Sequence, residues 1–396
     1  MQSHEIAASG SLAGRALGSF GTAIRDTHLA ISGRVFRSLG PSAVPVQRTH
    51  DAISALAYGG VALGLRQAPR AAGNAAALRA RADAPSLADT VGGAFALSAL
   101  NAAAGDRLEV EHDPLAVPMQ LRAGGHPVDA EPAALAHAYP DATSRLVVFL
   151  HGLGGNEDVW RLDPFARDVP GRLVYGDVLA AEIGVTPVYV RYNTGRRISD
   201  NGRDLASLLD HLVAGWPVAL EEIVIVGHSM GGLVARSALH VAGRGAHPWL
   251  ELVRTVVCLG SPHGGAPLER GANLLGRVLQ AVPETRPWGE MVDARSAGIK
   301  DLRRGTVTDD EDLPHVPPGV VVHTVSACVT ADRDHLVGRV VGDILVQETS
   351  ARGSNATHPL CEHEHLDSAN HWTLLSHPDV AAALIRWIGN ENVPER

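Results

Sequence analysis

The sequence predicts an α/β architecture, a mainly parallel sheet covered by helices on both sides and preceded by a helical extension. Three observations carry this. Short runs of branched apolar residues at 146–150, 186–192, 223–226, 255–259 and 320–325 alternate with stretches of helical period, the pattern of a sheet buried on both faces. Residues 1 to about 105 carry few strand signals and are dominated by Ala, Gly, Leu and Arg. The length, 396 residues, suits one large domain with an appendage better than many small units.

Within 1–105, Leu29, Ile31, Val35, Phe36 and Leu39 mark an amphipathic helix ending near Gly40 and Pro41. Further helices are expected at 49–65 and 87–104, with small residues that would allow close packing. Such an extension would cover the main domain or pair with a second copy, and an apolar helix face would also suit a membrane surface. Residues 106–396 form the second expected domain. It opens with a hairpin, VPMQLRA and HPVDA, turning at Gly124 and Gly125. Helices follow at 158–169 and 204–213, and a terminal helix starts near Pro378 and Asp379. Residues 267–318 interrupt the alternation; Leu274, Leu275, Val278, Leu279 and Val282 would give this insertion an apolar face suited to a lid or acyl-pocket wall, while 309–312 reads as a solvated acidic loop.

The densest signal is EEIVIVGHSMGG at 221–232. A buried strand runs into Gly-x-Ser-x-Gly, and the following LVARSALHVAG reads as a helix. A serine at such a turn is strained and crowded, so Gly227 and Gly231 leave room for the neighbouring chain and the Ser229 hydroxyl reaches the carboxyl edge of the sheet. A hydroxyl is a poor nucleophile without a base, and a histidine is suited to take and return its proton. His371, in NHWTLLSHPDV, precedes the terminal helix and is the preferred base; His377 reads as a helix-start residue, and His363 and His365 as part of a polar loop. Asp343, in GDILVQ, is the preferred acid to orient the imidazole, with Asp332 and Asp334 as runners-up and Asp367 too close in sequence to His371. The backbone amides of Met230 and Leu153 would receive a developing oxyanion, Leu153 lying in the glycine-rich HGLGG loop. His151 and His228 read as structural neighbours of those donors.

Composition limits the alternatives. Charged residues make up 19%, the formal net charge is −9, and Lys300 is the only lysine, so no basic surface for nucleic acid is expected. The opening MQSHEIAASGSLAG lacks the basic and apolar regions of a signal peptide, which favours a cytoplasmic location. Cys258, Cys328 and Cys361 are odd in number and far apart, so free thiols are expected. The HPLCEHEH segment holds metal-ligand residue types at a spacing that matches no firm signature, and no metal or cofactor is expected.

In series, HGLGG, YNTGRRISDNG, GHSMGG, LGSPHGG, GDILVQETSARG and NHWTLLSHPDV make residues 120–390 resemble the α/β-hydrolase superfamily. The resemblance is to its lipase and esterase branch, with bacterial triacylglycerol lipases and inositol-deacylase-like proteins. It implies an α/β-hydrolase fold and a triad of Ser229, Asp343 and His371, with Leu153 and Met230 as oxyanion donors. It further implies a carboxylic ester, small or lipid, as substrate and an acyl-enzyme as intermediate. The same machinery would serve a thioesterase, lactonase or acyltransferase, and a noncatalytic scaffold could share the fold.

Overall fold

The computed structural model describes residues 1–38, 40–81, 83–161, 173–265, 295–309, 316–331, 343, 345–353 and 360–389. The chain divides into two compact units, one of residues 1–93, 110–115 and 269–295, the other of residues 94–109, 116–268 and 296–396.

The first unit is built on two long antiparallel helices, α1 (Ser3–Ser38) and α2 (Val44–Ala77). Both exceed the helices expected at 29–39 and 49–65, because alanine sustains a helix between apolar anchors. Small residues set their spacing. A Cβ on Gly14 would meet the Arg66 carbonyl oxygen at 2.2 Å, and one on Gly10 the Pro69 oxygen at 2.6 Å. Glu5 accepts hydrogen bonds from the Gln2 amide, the Ser86 hydroxyl and the Leu87 amide. Burial alone would raise its carboxyl, yet these donors hold it below the ordinary range. Among the described residues no helix is long and apolar enough to cross a membrane.

The second unit holds one eight-stranded sheet. Its strands are β1 (Gln120–Ala123), β2 (His126–Val128), β3 (Arg145–Leu150), β4 (Thr186–Arg191), β5 (Glu222–His228), β6 (Val253–Leu259), β7 (Val321–Ala327) and β8 (Leu360–Leu366). They lie in the order β2-β1-β4-β3-β5-β6-β7-β8, with β1 antiparallel to both neighbours and all other pairs parallel. The apolar runs have a direct explanation in this arrangement. On β3, Leu146, Val148 and Leu150 enter one core cluster, while Val147 and Phe149 enter the other. On β5, Ile223 and Ile225 part from Val224 and Val226 in the same way. A strand with a core on each side has no polar face to alternate with.

Helices α6 (Ile198–Gly215) and α7 (Met230–Arg244) bury Leu205, Leu209, Leu233 and Val234 in the first cluster. The opposite cluster takes Leu179 from α5 (Tyr175–Ile183) and Leu384 and Trp387 from α10 (Pro378–Gly389). Most of α3 (Val91–Val110) belongs to this unit, with Leu97, Asn101 and Leu108 buried. Short helices α4 (Pro132–Ala138), α8 (Ala297–Arg304) and α9 (Glu348–Arg352) complete it.

Three expectations need correction. His363 and His365 lie in no loop: residues 360–366 form β8, and both histidines face hydroxyls on β7 in place of apolar partners. Asp309 is more than a solvated acid, since it accepts hydrogen bonds from Ser199 and from Arg203 at 2.7 Å. The helix expected from 158 begins as a short 3₁₀ turn, Glu157–Trp160, where Asn156 caps the Asp158 amide at 2.9 Å. Residues 162–169 of that helix, and the insertion's apolar face at Leu274, Leu275, Val278, Leu279 and Val282, lie outside the described residues, as do Asp332 and Asp334.

Candidate active site

Strand β5 ends at His228, and Ser229 makes the turn into α7 with φ 54° and ψ −119°. Few non-glycine residues adopt a positive φ, and three near clashes hold this one in place. A Cβ on Gly227 would come within 2.4 Å of the Gly232 nitrogen, one on Gly231 within 2.3 Å of the Leu150 oxygen, and one on Gly232 within 2.1 Å of Ser261 Oγ. All three glycines of the motif are therefore steric requirements, including Gly232, beyond the two named by the sequence pattern. The Ser229 amide donates to the Leu259 oxygen at 2.8 Å, which fastens the turn to β6.

The acid and the imidazole come together from two loops at the same edge. Asp343 Oδ2 lies 2.6 Å from His371 Nδ1, both side chains being almost fully buried. The other oxygen, Oδ1, accepts from the amides of Leu345 at 3.0 Å and Val346 at 2.7 Å. The backbone repeats the link, since the His371 amide donates to the Asp343 oxygen at 3.0 Å. With Nδ1 directed at the carboxylate, Nε2 is left as a buried ring nitrogen without a hydrogen-bond partner among the described residues. The ring sits at the end of β6 because Gly260, at φ 60°, has no side chain there: a Cβ would fall 3.1 Å from His371 Cε1. His228, next to Ser229 in the chain, donates from Nε2 to the His371 carbonyl oxygen at 3.0 Å. Burial, then the neighbouring His371 ring, pushes the His228 imidazole well below its ordinary value.

The HGLGG loop crosses close to the serine: a Cβ on Gly152 would lie 3.0 Å from Ser229 Cβ. Its shape is held by three contacts. The Gly155 amide donates to the Gly152 oxygen at 3.1 Å, the Gly154 amide to Thr194 Oγ1 at 3.2 Å, and the Tyr192 hydroxyl to the His151 oxygen at 2.7 Å. Leu153 packs part-buried on the core, and Met230 is buried at the first turn of α7. Among the described residues no acceptor takes the amide N–H of either. His151 stacks on Tyr192 at 4.3 Å, its Nε2 accepts from the Tyr192 amide, and burial brings the imidazole down to about 4. Tyr192 and Thr194 are positioning residues that sequence reasoning did not single out, although YNTG was conspicuous as a motif.

The remaining candidates lie elsewhere. His377 starts α10, its Nδ1 accepting from the Asp379 amide at 3.2 Å. His363 and His365 face β7, and Asp367 lies with His365, not with His371.

Residues 141–312 match the family model described as a PGAP1-like alpha/beta domain. A triacylglycerol lipase of Burkholderia plantarii is 31% identical over 156 residues, 38% of this chain and 39% of the relative. The eight-stranded, mainly parallel sheet with Ser229 at its strand-to-helix turn is an α/β-hydrolase fold. The chain spans about 39% of the length of the curated relative it matches. Two solved structures similar to it are the mature Bacillus licheniformis lipase BlEst2 and the metagenomic carboxyl esterase MGS0156. The first has a TM-score of 0.41 and 18% identity, covering 68% of this chain and 96% of that one. The second has a TM-score of 0.41 and 17% identity, covering 62% and 76%.

Proposed function

We propose that this α/β-hydrolase cleaves carboxylic esters with apolar acyl chains through an acyl-enzyme on Ser229. The observation that carries the reading is the buried Asp343–His371 pair, 2.6 Å apart, whose Nε2 makes no hydrogen bond, at the sheet edge where Ser229 turns into α7. In this reading His371 Nε2 takes the proton of Ser229 Oγ as the oxygen attacks the acyl carbon, then returns it to the departing alcohol. Asp343 fixes the tautomer and favours the imidazolium. The amides of Leu153 and Met230, aided by the positive end of α7, stabilise the oxyanion. Water, deprotonated by the same imidazole, then releases the acid.

The triacylglycerol lipase relative supports an ester as substrate. The test is hydrolysis of an ester series from acetate to palmitate by wild type and S229A, below and above substrate aggregation. Labelling by a serine-directed fluorophosphonate runs in parallel. Folded wild type that neither labels nor hydrolyses any member would sink the proposal.

A further inference from the structure

Outside that site, one cluster of side chains has the composition and spacing of metal ligands. We propose that Cys328 Sγ, His365 Nε2 and a carboxylate oxygen of Asp367 bind one zinc ion, bracing the turn that leads to His371. Cys328 directly follows β7, and His365 and Asp367 lie at the end of β8 and in the turn after it. Their ligand atoms fall within 4.8 Å of one another. Asp367 Oδ1 is 3.4 Å from His365 Nε2 and 3.8 Å from Cys328 Sγ. Around a tetrahedral zinc, with ligands at about 2.0–2.3 Å, such atoms lie about 3.3–3.7 Å apart. The first separation falls in that range, the second slightly exceeds it and the third pair lies within 4.8 Å, so a small side-chain adjustment on binding would bring the three atoms about one ion.

An ordinary ion pair explains the geometry less well. His365 is 8% exposed at its side chain, and among the described residues its Nε2 makes no hydrogen bond although the carboxylate oxygen is so near. A buried imidazole N–H that makes no hydrogen bond is costly, whereas a bare lone pair facing a cation is stabilised. The hydroxyls of β7 are compatible with the lone pair. His365 Nδ1 lies 2.6 Å from Ser326 Oγ, Ser326 Oγ lies 3.1 Å from His363 Nε2, and His363 Nδ1 lies 2.7 Å from Thr324 Oγ1. One proton order satisfies every link while leaving His365 Nε2 unprotonated: His365 donates to Ser326, Ser326 to His363, and His363 to Thr324. Hydrogen bonding at the far nitrogen is how ligating histidines are oriented. A second grouping, Glu348 with His363 and His365, is also compact, but both nitrogens of His363 are engaged by β7 hydroxyls.

The thiol now donates to the Thr330 oxygen at 3.1 Å. On binding, the Sγ–H bond breaks, the proton passes to solvent and the thiolate takes up zinc. Thiolate, carboxylate and dication then sum to zero charge, which suits a site where the sulfur is buried. Thiolate with imidazole selects zinc over the oxygen-seeking calcium and magnesium. The site would reinforce an existing seam, since the Ala369 amide donates to the Cys328 oxygen at 2.8 Å and the Ser368 amide to the Thr330 oxygen at 2.9 Å. His371 follows directly.

The full chain, produced without a polyhistidine tag and dialysed free of metal, is titrated with zinc against a chromophoric chelator. The expected result is one zinc per chain, affinity at least tenfold weaker in C328S and H365A, and unchanged in S229A. Cobalt added to the wild type should give a thiolate-to-cobalt charge-transfer band, which needs no variant to fold. A wild type without zinc, a C328S variant that binds as tightly, or bound cobalt lacking that band would each overturn the proposal.

Discussion

Two buried charged clusters in the sheet unit show how differently the same groups can be used. Glu157 lies between two arginines: Oε1 accepts from Arg122 Nε at 3.0 Å and Arg191 Nη2 at 2.5 Å, and Oε2 accepts from Arg191 Nε at 2.6 Å. Burial would raise this carboxyl, but the Arg191 hydrogen bond and charge outweigh it and hold it low. Both of its oxygens are matched by cations. At Asp343 the carboxylate is matched as completely, yet the imidazole it holds retains one nitrogen without a hydrogen bond. The first arrangement fastens β1 and β4 to the turn after β3. The second leaves the nitrogen that the proposed mechanism assigns as base.

The largest effects should follow from removing the second arrangement. S229A should lower ester kcat at least about 10⁴-fold with the melting temperature unchanged, and D343N about 10³–10⁴-fold, with fluorophosphonate labelling slowed but present. D343N at full rate would show that the acid lies elsewhere. The first arrangement should respond the opposite way. E157A leaves two buried guanidiniums without their carboxylate, so stability should fall by about 3–5 kcal/mol in urea unfolding, with turnover per folded molecule kept. Lost turnover at unchanged stability would erase the distinction between the clusters.

The HGLGG loop, the proposed oxyanion donor, gives a smaller contrast. Replacement of Leu153 by alanine keeps the amide, so kcat should change only a few fold. L153P removes the N–H and should lower kcat about 10²–10³-fold. Equal rates for the two variants would exclude that amide as a donor.

Much of this was legible in the sequence, for identifiable reasons. Ser229, His371 and Asp343 follow apolar strands or precede an apolar helix, and a core on both sheet faces writes unbroken Val and Ile runs that no surface segment imitates. β8 was illegible because both of its faces are polar. His363 and His365 answer β7 hydroxyls, while Glu362 and Glu364 answer Trp387 and Arg386 on α10. The period-two alternation is present, but in residue types that normally mark a loop. Cys328, far away in sequence, joins His365 only through the pairing of β7 with β8. Thr194 acts through one hydroxyl on a neighbouring loop, which no spacing encodes.

His151 joins the two clusters and supplies the finest test. It bonds the Gly152 oxygen of the HGLGG loop, yet Glu157 and Arg191 both lie within its electrostatic reach. Burial dominates and lowers it from 6.5 to about 4. Between those values the unfolded chain binds the proton and the folded one does not, so stability must fall as pH drops from 6.5 toward 4, with no further loss from this group below about 4. The full shift corresponds to roughly 3 kcal/mol. The depressed carboxyl of Glu157 acts in the same direction but at lower pH, its contribution present above the ordinary 4.5 and lost as pH falls through its folded value. Urea unfolding between pH 4.5 and 6.5 therefore reads the histidines ahead of the carboxylate. The H151Q variant should show a shallower slope there than wild type while keeping the Glu157-dependent loss at lower pH. Identical slopes would mean that His151 is no more buried from protons in the folded protein than in the unfolded chain.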